Sequence, residues 1–251
     1  MNLNNKYNIN IHITLTYNIY HYIIVYNIII KMSKYPIYIF ILMFILSIVT
    51  IMMCQYKTKE NLVNKEKLLL IGDSILNNKN YVFEKESVEY ILTNKYNFLL
   101  TNYAEDGELL NELQDKVFQL NDIELNSSIV ISIGGNDILR NRDVNKTFEK
   151  YKNVVKQISI KFPECNLYIL DLYYPPCCRF KKYYDKITTW NNKLNKLKTI
   201  ENVRIINISQ LLTSKNDFVF EIEPSYLGGL KIAKKINEMI QHSSSSYFNT
   251  F

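Results

Sequence analysis

The sequence predicts an α/β fold in which a parallel sheet carries helices on both faces. Short apolar runs of strand length recur along residues 67–241, segments with apolar residues at helical spacing separate them, and glycine-bearing turns follow the runs. The expected strands are Leu68–Ile71, Phe98–Thr101, Ile129–Ile133, Leu167–Leu172 and Val203–Ile206. Between them, Leu110, Leu113, Val117 and Leu120 share one helical face. Phe148, Tyr151, Val155, Ile158 and Phe162 share another, and Ile187, Trp190, Leu194 and Leu197 a third. Ala233, Ile236 and Ile240 mark a last helix. Strands alternating with helices of this length pair in parallel, and such sheets place their chemistry at the carboxyl ends of the strands.

A chain of 251 residues holds one domain of about 150 to 200 residues and a shorter appendage. It contains 6 Gly, 5 Pro, 4 Cys and 20 Tyr and is rich in Asn, Ile and Lys, the mark of an AT-rich coding sequence. Collagen-like and Pro/Gly-rich disordered chains are excluded, as is a disulfide scaffold. With 47% apolar and 22% charged residues, a packed core is expected. The net charge of +6 comes mostly from scattered lysines, with only four arginines. Nucleic-acid binding gathers basic residues on one face or in one run; no such cluster exists, so no nucleic-acid partner is expected.

The appendage precedes the domain. Residues 36–54, PIYIFILMFILSIVTIMMC, run without a charge, and as a helix they just cover about 30 Å of hydrocarbon. The end of the run offers no small-residue cleavage site and no small residues before Cys54 for a lipid-modified cysteine. An uncleaved single-pass anchor is therefore expected over residues 36–54. Lysines flank it on both sides (Lys31 and Lys34, Lys57 and Lys59), so the positive-inside rule assigns no orientation. Residues 1–35 are low in complexity, and Met32 stands directly before the anchor, which leaves residues 1–31 open to reading as an upstream extension. Residues 55–66 read as a polar tether, 67–241 as the domain and 242–251 as a polar tail.

Within the domain, the turns after three strands carry chemistry. The first strand stops at Gly72-Asp73-Ser74, which presents a serine hydroxyl at the sheet edge as a candidate nucleophile. A serine there is also a common helix N-cap. The second strand leads to Asn102-Tyr103-Ala104-Glu105-Asp106-Gly107 and the third to Gly134-Gly135-Asn136-Asp137. A tetrahedral oxyanion needs preorganised N–H donors, and the Gly107 backbone with the Asn136 amide would supply them. All six glycines sit at these turns or at Gly228-Gly229.

These blocks, IGDS, the Asn-to-Gly107 turn and GGND, resemble in order and spacing the SGNH or GDSL hydrolase family. The resemblance covers about residues 67–241 and implies a three-layer α/β/α sandwich on a flavodoxin-like, five-stranded parallel sheet. It implies an esterase, lipase, thioesterase or deacetylase needing no cofactor and no metal. Ser74 would be the nucleophile and a backbone oxyanion donor, with Gly107 and Asn136 completing the hole. The fourth block departs. Family members carry Asp-x-x-His-Pro before the last helix, where this chain has Phe220-Glu221-Ile222-Glu223-Pro224-Ser225. Glu223 stands in place of the base histidine and Phe220 in place of its orienting aspartate.

His12 and His21 precede the anchor, and His242 follows the last helix about 21 Å from its start, so no histidine is well placed to substitute. Two readings of Glu223 stand. As the general base it takes the Ser74 proton and needs no orienting aspartate, since a carboxylate has no tautomer to fix. Its ordinary pKa lies near 4.3 against about 6.5 for histidine, so burial would have to raise it. Alternatively it is a surface or capping residue at the amino end of the last helix.

The segment from Tyr173 and Tyr174 through Tyr184 leaves the same edge and is a candidate cleft lining. Cys165, Cys177 and Cys178 show no zinc spacing, and one disulfide from Cys165 is as consistent with the sequence as reduced thiols. The sequons at Asn126, Asn145 and Asn207 match chance in a chain so rich in asparagine. The leading expectation is a membrane-anchored hydrolase acting on a small-molecule, lipid or glycan ester through Ser74 and Glu223. The others are a catalytically impaired relative that binds an acylated lipid or glycan, and an anchored structural protein.

Overall fold

The computed structural model describes residues 21–26, 36–63, 65–120, 128–200 and 202–248. The chain divides into two compact units, Met1–Asn64 and Lys65–Phe251. In the first, residues 21–26 and Pro36–Val63 are helical. The second helix contains the charge-free run and continues through most of the segment expected to be a tether. Side chains are described for its residues 37–53. Counted over the residues described in full, no helix is long and apolar enough to cross a membrane. The expected low-complexity segment lies mostly outside the described residues.

The second unit is built on five parallel strands: β1 (Lys67–Gly72), β2 (Leu99–Asn102), β3 (Ser128–Ser132), β4 (Asn166–Leu170) and β5 (Val203–Ile206). Their order in the sheet is β2-β1-β3-β4-β5, the doubly wound order of flavodoxin-like folds. Each matches an expected strand, with ends displaced by up to two residues. β1 and β3 are almost wholly buried because helices cover both faces. Successive side chains point to opposite faces, and two cores result. Leu69, Ile71, Ile129, Ile131, Leu167 and Ile169 face one core. It is closed by α2 (Leu110–Gln119), α4 (Val144–Lys161) and α5 (Tyr184–Leu194). Leu68, Leu70, Val130, Tyr168, Leu170 and Ile206 face the other, beneath α1 (Val88–Asn94) and α6 (Tyr226–Phe248).

The helices begin where the sequence offers caps. Ser87 accepts the Tyr90 N–H at the start of α1, and Asp143 accepts the Lys146 N–H at the start of α4. Gly135–Leu139 forms a one-turn helix, α3, after β3. Helix α6 runs to Phe248, so most of the segment expected to be a polar tail is helical. Cys165 is buried, and Cys177 and Cys178 are free thiols.

One element was not expected. Phe218–Val219 (β6) and Glu223–Pro224 (β7) pair antiparallel as a small hairpin. Its turn holds Phe220 at φ 48° and Glu221 at φ 70°, and the Ile222 N–H bonds the Val219 carbonyl. The loop between the paired Val219 and Glu223 has three residues, 220–222, and its first two are left-handed, a conformation that ordinarily takes Asn-Gly. Neither occupant is glycine, which hides the hairpin from sequence reading.

The sheet's catalytic edge depends on a close approach between β1 and β3. Gly72 has φ 129°, and a Cβ there would run into the Ser132 carbonyl. Gly72→Ala should therefore lower the unfolding free energy by roughly 3 kcal/mol or more, read as a lower urea midpoint at an unchanged m-value.

Candidate active site

Ser74 lies directly after β1, and the network around Asp73 fixes the turn that carries it. The Asp73 N–H donates to the Ser132 carbonyl at 2.9 Å. The Asp73 carboxylate accepts the Ser132 hydroxyl at 2.9 Å and the Ile75 N–H at 3.2 Å. Asp73 and Ser74 are both buried. Burial pushes the Asp73 carboxyl up to about 7; its hydrogen bonds oppose the shift, and the charges of Glu223 and Glu108 add to it.

The second turn brings Gly107 to the same edge. A Cβ at Gly107 would meet nothing within 4 Å, so its backbone faces open space. Lys116 on α2 braces this turn through the Tyr103 carbonyl at 2.6 Å, Glu105 at 3.2 Å and the buried Glu108 at 2.7 Å. The Asn136 amide donates to the Glu108 carbonyl at 3.1 Å, and an amide has a second N–H to offer a ligand. Asp137 accepts the Leu110 N–H at the start of α2 and pairs with Arg142 at 2.7 Å. The GGND turn therefore holds the oxyanion loop and its helix in one piece. Gly134, at φ 107°, lets Trp190 pack against its Cα.

Glu223, on β7, meets Ser74. The Ser74 hydroxyl lies beside its carboxyl group, near enough to lower that group's pKa, and Oε2 is buried without a partner among the described residues. Burial raises the Glu223 pKa, the Ser74 hydrogen bond opposes the rise, and the charge of Asp106 adds to it. Backing is apolar: Tyr173 is buried and donates its hydroxyl to the Ile222 carbonyl at 2.6 Å. Phe220, in the position of an orienting aspartate, is exposed in the hairpin turn and touches Tyr81 edge-on.

The structure thus brings together the Ser74, Glu223, Gly107 and Asn136 positions named from the sequence. Tyr173 lines a small apolar cavity with Ile75, Gly135, Ile138, Leu172 and Ile222. Tyr174 is directed instead to Thr188 and Tyr184. His242 lies on α6, sixteen positions after its first residue, about 24 Å along the axis. Sequence reasoning missed Asp73, Lys116 and Tyr81 as parts of the site. Asp73 was visible only as the middle of IGDS; the other two carry no local signal.

Residues 68–231 match the GDSL-like Lipase/Acylhydrolase family. The chain belongs to that family. GDSL relatives recur among solved structures. A lipolytic G-D-S-L protein from Veillonella parvula superposes with a TM-score of 0.61 at 20% identity, covering 69% of this chain and 97% of its own. The esterase EstA from a Pseudoalteromonas species gives 0.55 at 17%, covering 72% and 100%. A family 3 carbohydrate esterase from Clostridium thermocellum gives 0.52 at 19%, covering 70% and 94%. No curated protein matches in sequence. This GDSL chain is an esterase or lipase type of hydrolase by family, with Glu223 at the position where the sequence resemblance implies a histidine.

The Asp73 shift fixes a pH dependence of stability. A carboxyl that titrates near 7 when folded and near 3.9 when unfolded holds its proton more tightly in the fold. Its contribution is then greatest below about pH 4 and declines as pH rises to about 7. Asp73→Asn keeps an acceptor oxygen for Ser132 and Ile75 and should flatten that decline in urea titrations run from pH 4 to 8.

Proposed function

We propose that the protein is a membrane-anchored serine hydrolase that cleaves esters of short apolar acyl groups. The observation that supports this reading is the half-buried carboxyl of Glu223 placed beside the Ser74 hydroxyl at the carboxyl edge of the sheet. Glu223 takes the Ser74 proton as Oγ attacks the acyl carbonyl. The oxyanion is held by the N–H groups of Ser74 and Gly107 and the Asn136 amide. Collapse expels the alcohol, which receives the proton from Glu223; water, activated by the same carboxylate, then releases the acid. The raised pKa favours this role, because a carboxylate at its ordinary value would be a poor base.

A cavity lined by Ile75, the residue after Ser74, supports the acyl preference. It measures about 50 Å³ and is walled by aliphatic side chains and Tyr173, a lining that suits a few methylenes and rejects a charged or long chain. The anchor rests on the charge-free residues 36–54. Most side chains of that helix are exposed, among them Ile37, Phe40, Phe44 and Met52, while Ile39, Leu42 and Leu46 are partly covered; a broad apolar exposed surface suits contact with hydrocarbon.

The full-length chain, in detergent, should react with a fluorophosphonate probe. Ser74→Ala should abolish labelling, and Glu223→Gln should lower kcat for a short-chain ester by about 10² to 10⁴. No labelling of the parent would leave a binding protein on this fold. Membranes from cells expressing the chain should retain it through carbonate extraction, whereas a chain starting at Lys65 should be released.

A further inference from the structure

We infer that the groove between residues 80–86 and the β6–β7 hairpin is the leaving-group site of this hydrolase and takes a neutral sugar unit, so that the substrate is a short-chain acyl ester of a sugar. The inference rests on the reading of Ser74 and Glu223 as the ester-cleaving pair. The groove measures about 530 Å³, against about 50 Å³ for the apolar cavity assigned to the acyl group. Sites of about 300 to 1,000 Å³ hold whole small-molecule ligands, so most of the ester's bulk belongs on the alcohol side. The hairpin stands between the two spaces. Val219 and Phe220 wall the groove, while Ile222 in the same loop walls the cavity. Val219 is paired directly with Glu223, and residues opposite each other on antiparallel strands project from the same face. Phe218 takes the other face, against Tyr173 with ring centroids 5.1 Å apart. From the other side of the groove's lining, Tyr81 donates its hydroxyl to Asp106 Oδ2 at 2.6 Å, one residue before Gly107. The groove therefore borders both the strand that carries the base and the loop that carries an oxyanion donor.

The lining selects the chemistry. Four rings, Tyr81, Phe83, Phe220 and Tyr226, supply apolar faces. Phe83 and Phe220 are 81% and 71% exposed, so neither serves the core. Phe220 stands at φ 48°, a backbone region that a bulky side chain rarely adopts; it adds ring surface to the groove at the expense of the turn. Asn80 and Asn216 also line the groove, and their exposed amides make no hydrogen bond among the described residues. The half-buried carboxylate of Glu86 joins them. An amide offers donor and acceptor together. A hydroxyl answers both, whereas a hydrocarbon chain answers neither and a quaternary ammonium cannot answer the donor. Among the described residues no lysine or arginine lines the groove, so it offers nothing to an anionic alcohol. A pyranose, with C–H faces and a rim of hydroxyls, meets both the rings and the amides. On cleavage the acyl carbon bonds to Ser74 Oγ as its bond to the sugar oxygen breaks, and that oxygen leaves as a hydroxyl with the proton that Glu223 took from Ser74.

The test compares acetate release from glucose pentaacetate, vinyl acetate and acetylcholine by the full-length chain, in a detergent without a sugar headgroup. The kcat/KM for glucose pentaacetate should exceed that for acetylcholine. The ratio of kcat/KM for glucose pentaacetate to that for vinyl acetate should fall about fivefold or more in Phe220→Asn and in Asn216→Ala. Asparagine tolerates the left-handed backbone of the turn, and the Asn216 backbone keeps its bonds to the Ser214 and Ser225 hydroxyls, so both variants should fold. A ratio that stays at the parent's value in both overturns the inference. A higher kcat/KM for acetylcholine than for glucose pentaacetate overturns it in favour of a cationic alcohol. If the parent does not react with a fluorophosphonate, the hydrolase reading fails and the leaving-group role with it. Saturation-transfer NMR of cellobiose on the Ser74→Ala chain keeps the sugar site apart from that outcome. Transfer that is lost when Phe220→Asn is added supports the sugar site, and no transfer to begin with overturns it.

Discussion

The carboxyl edge of the sheet depends on one close approach, the Ser132 carbonyl lying against the Cα of Gly72 and accepting the Asp73 N–H. That bond turns the chain sharply at the end of β1, so the next residue, Ser74, leaves the sheet at its edge. The same contact buries the Asp73 carboxylate, which then holds Ser132 and the backbone at Ile75. The GGND turn, two residues after Ser132, inherits its position from the same place. Through Asn136 and Asp137 it passes that position to the Glu108 carbonyl and the first turn of α2. The Ser74 turn, the Gly107 loop and Asn136 are therefore parts of one hydrogen-bonded assembly, with little freedom to drift apart.

Replacing an imidazole by a carboxylate changes what the rest of the site must supply. Histidine needs a partner to fix its tautomer and titrates near neutrality without help. A carboxylate needs no orientation of that kind but must be made more basic. On the proposed reading, burial of Glu223, with Tyr173 behind the hairpin and negative charge nearby, would serve that need. Phe220 matters for what it does not bring: an acidic side chain there would have served a histidine. As phenylalanine it serves as a packing surface for Tyr81.

The five strands, their parallel pairing and the two-sided helical cover were legible because apolar periodicity and strand length are local properties. Ser74, Gly107 and Asn136 were legible because each sits in a turn of distinctive composition directly after a strand. Glu223 could be located by register against Pro224 and Gly228, but its contact with Ser74 depends on a hairpin. That hairpin's left-handed turn is occupied by Phe220 and Glu221, residues that normally argue against such a turn. Tyr81 and Lys116 were illegible for a different reason. Each acts across a gap in sequence, on Asp106 and on the Tyr103–Glu108 loop, and nothing in the flanking residues marks a side chain that will reach that far. The ends of the two outer helices were misjudged because polar composition was taken as a stop, whereas Pro36–Val63 and α6 continue through polar residues.

The hairpin has a consequence for how this fold can diversify. β6 and β7 are two residues each, and Glu223 is opposite Val219. Side chains alternate along a strand, so one residue added to or lost from the turn would rotate the carboxylate to the opposite face. The five strands of the main sheet lie outside the loop and would keep their pairing. On the proposed reading of Glu223, activity is gated by the length of the three-residue loop 220–222. A single codon inserted or deleted there would then turn the proposed base away from Ser74 in one evolutionary step.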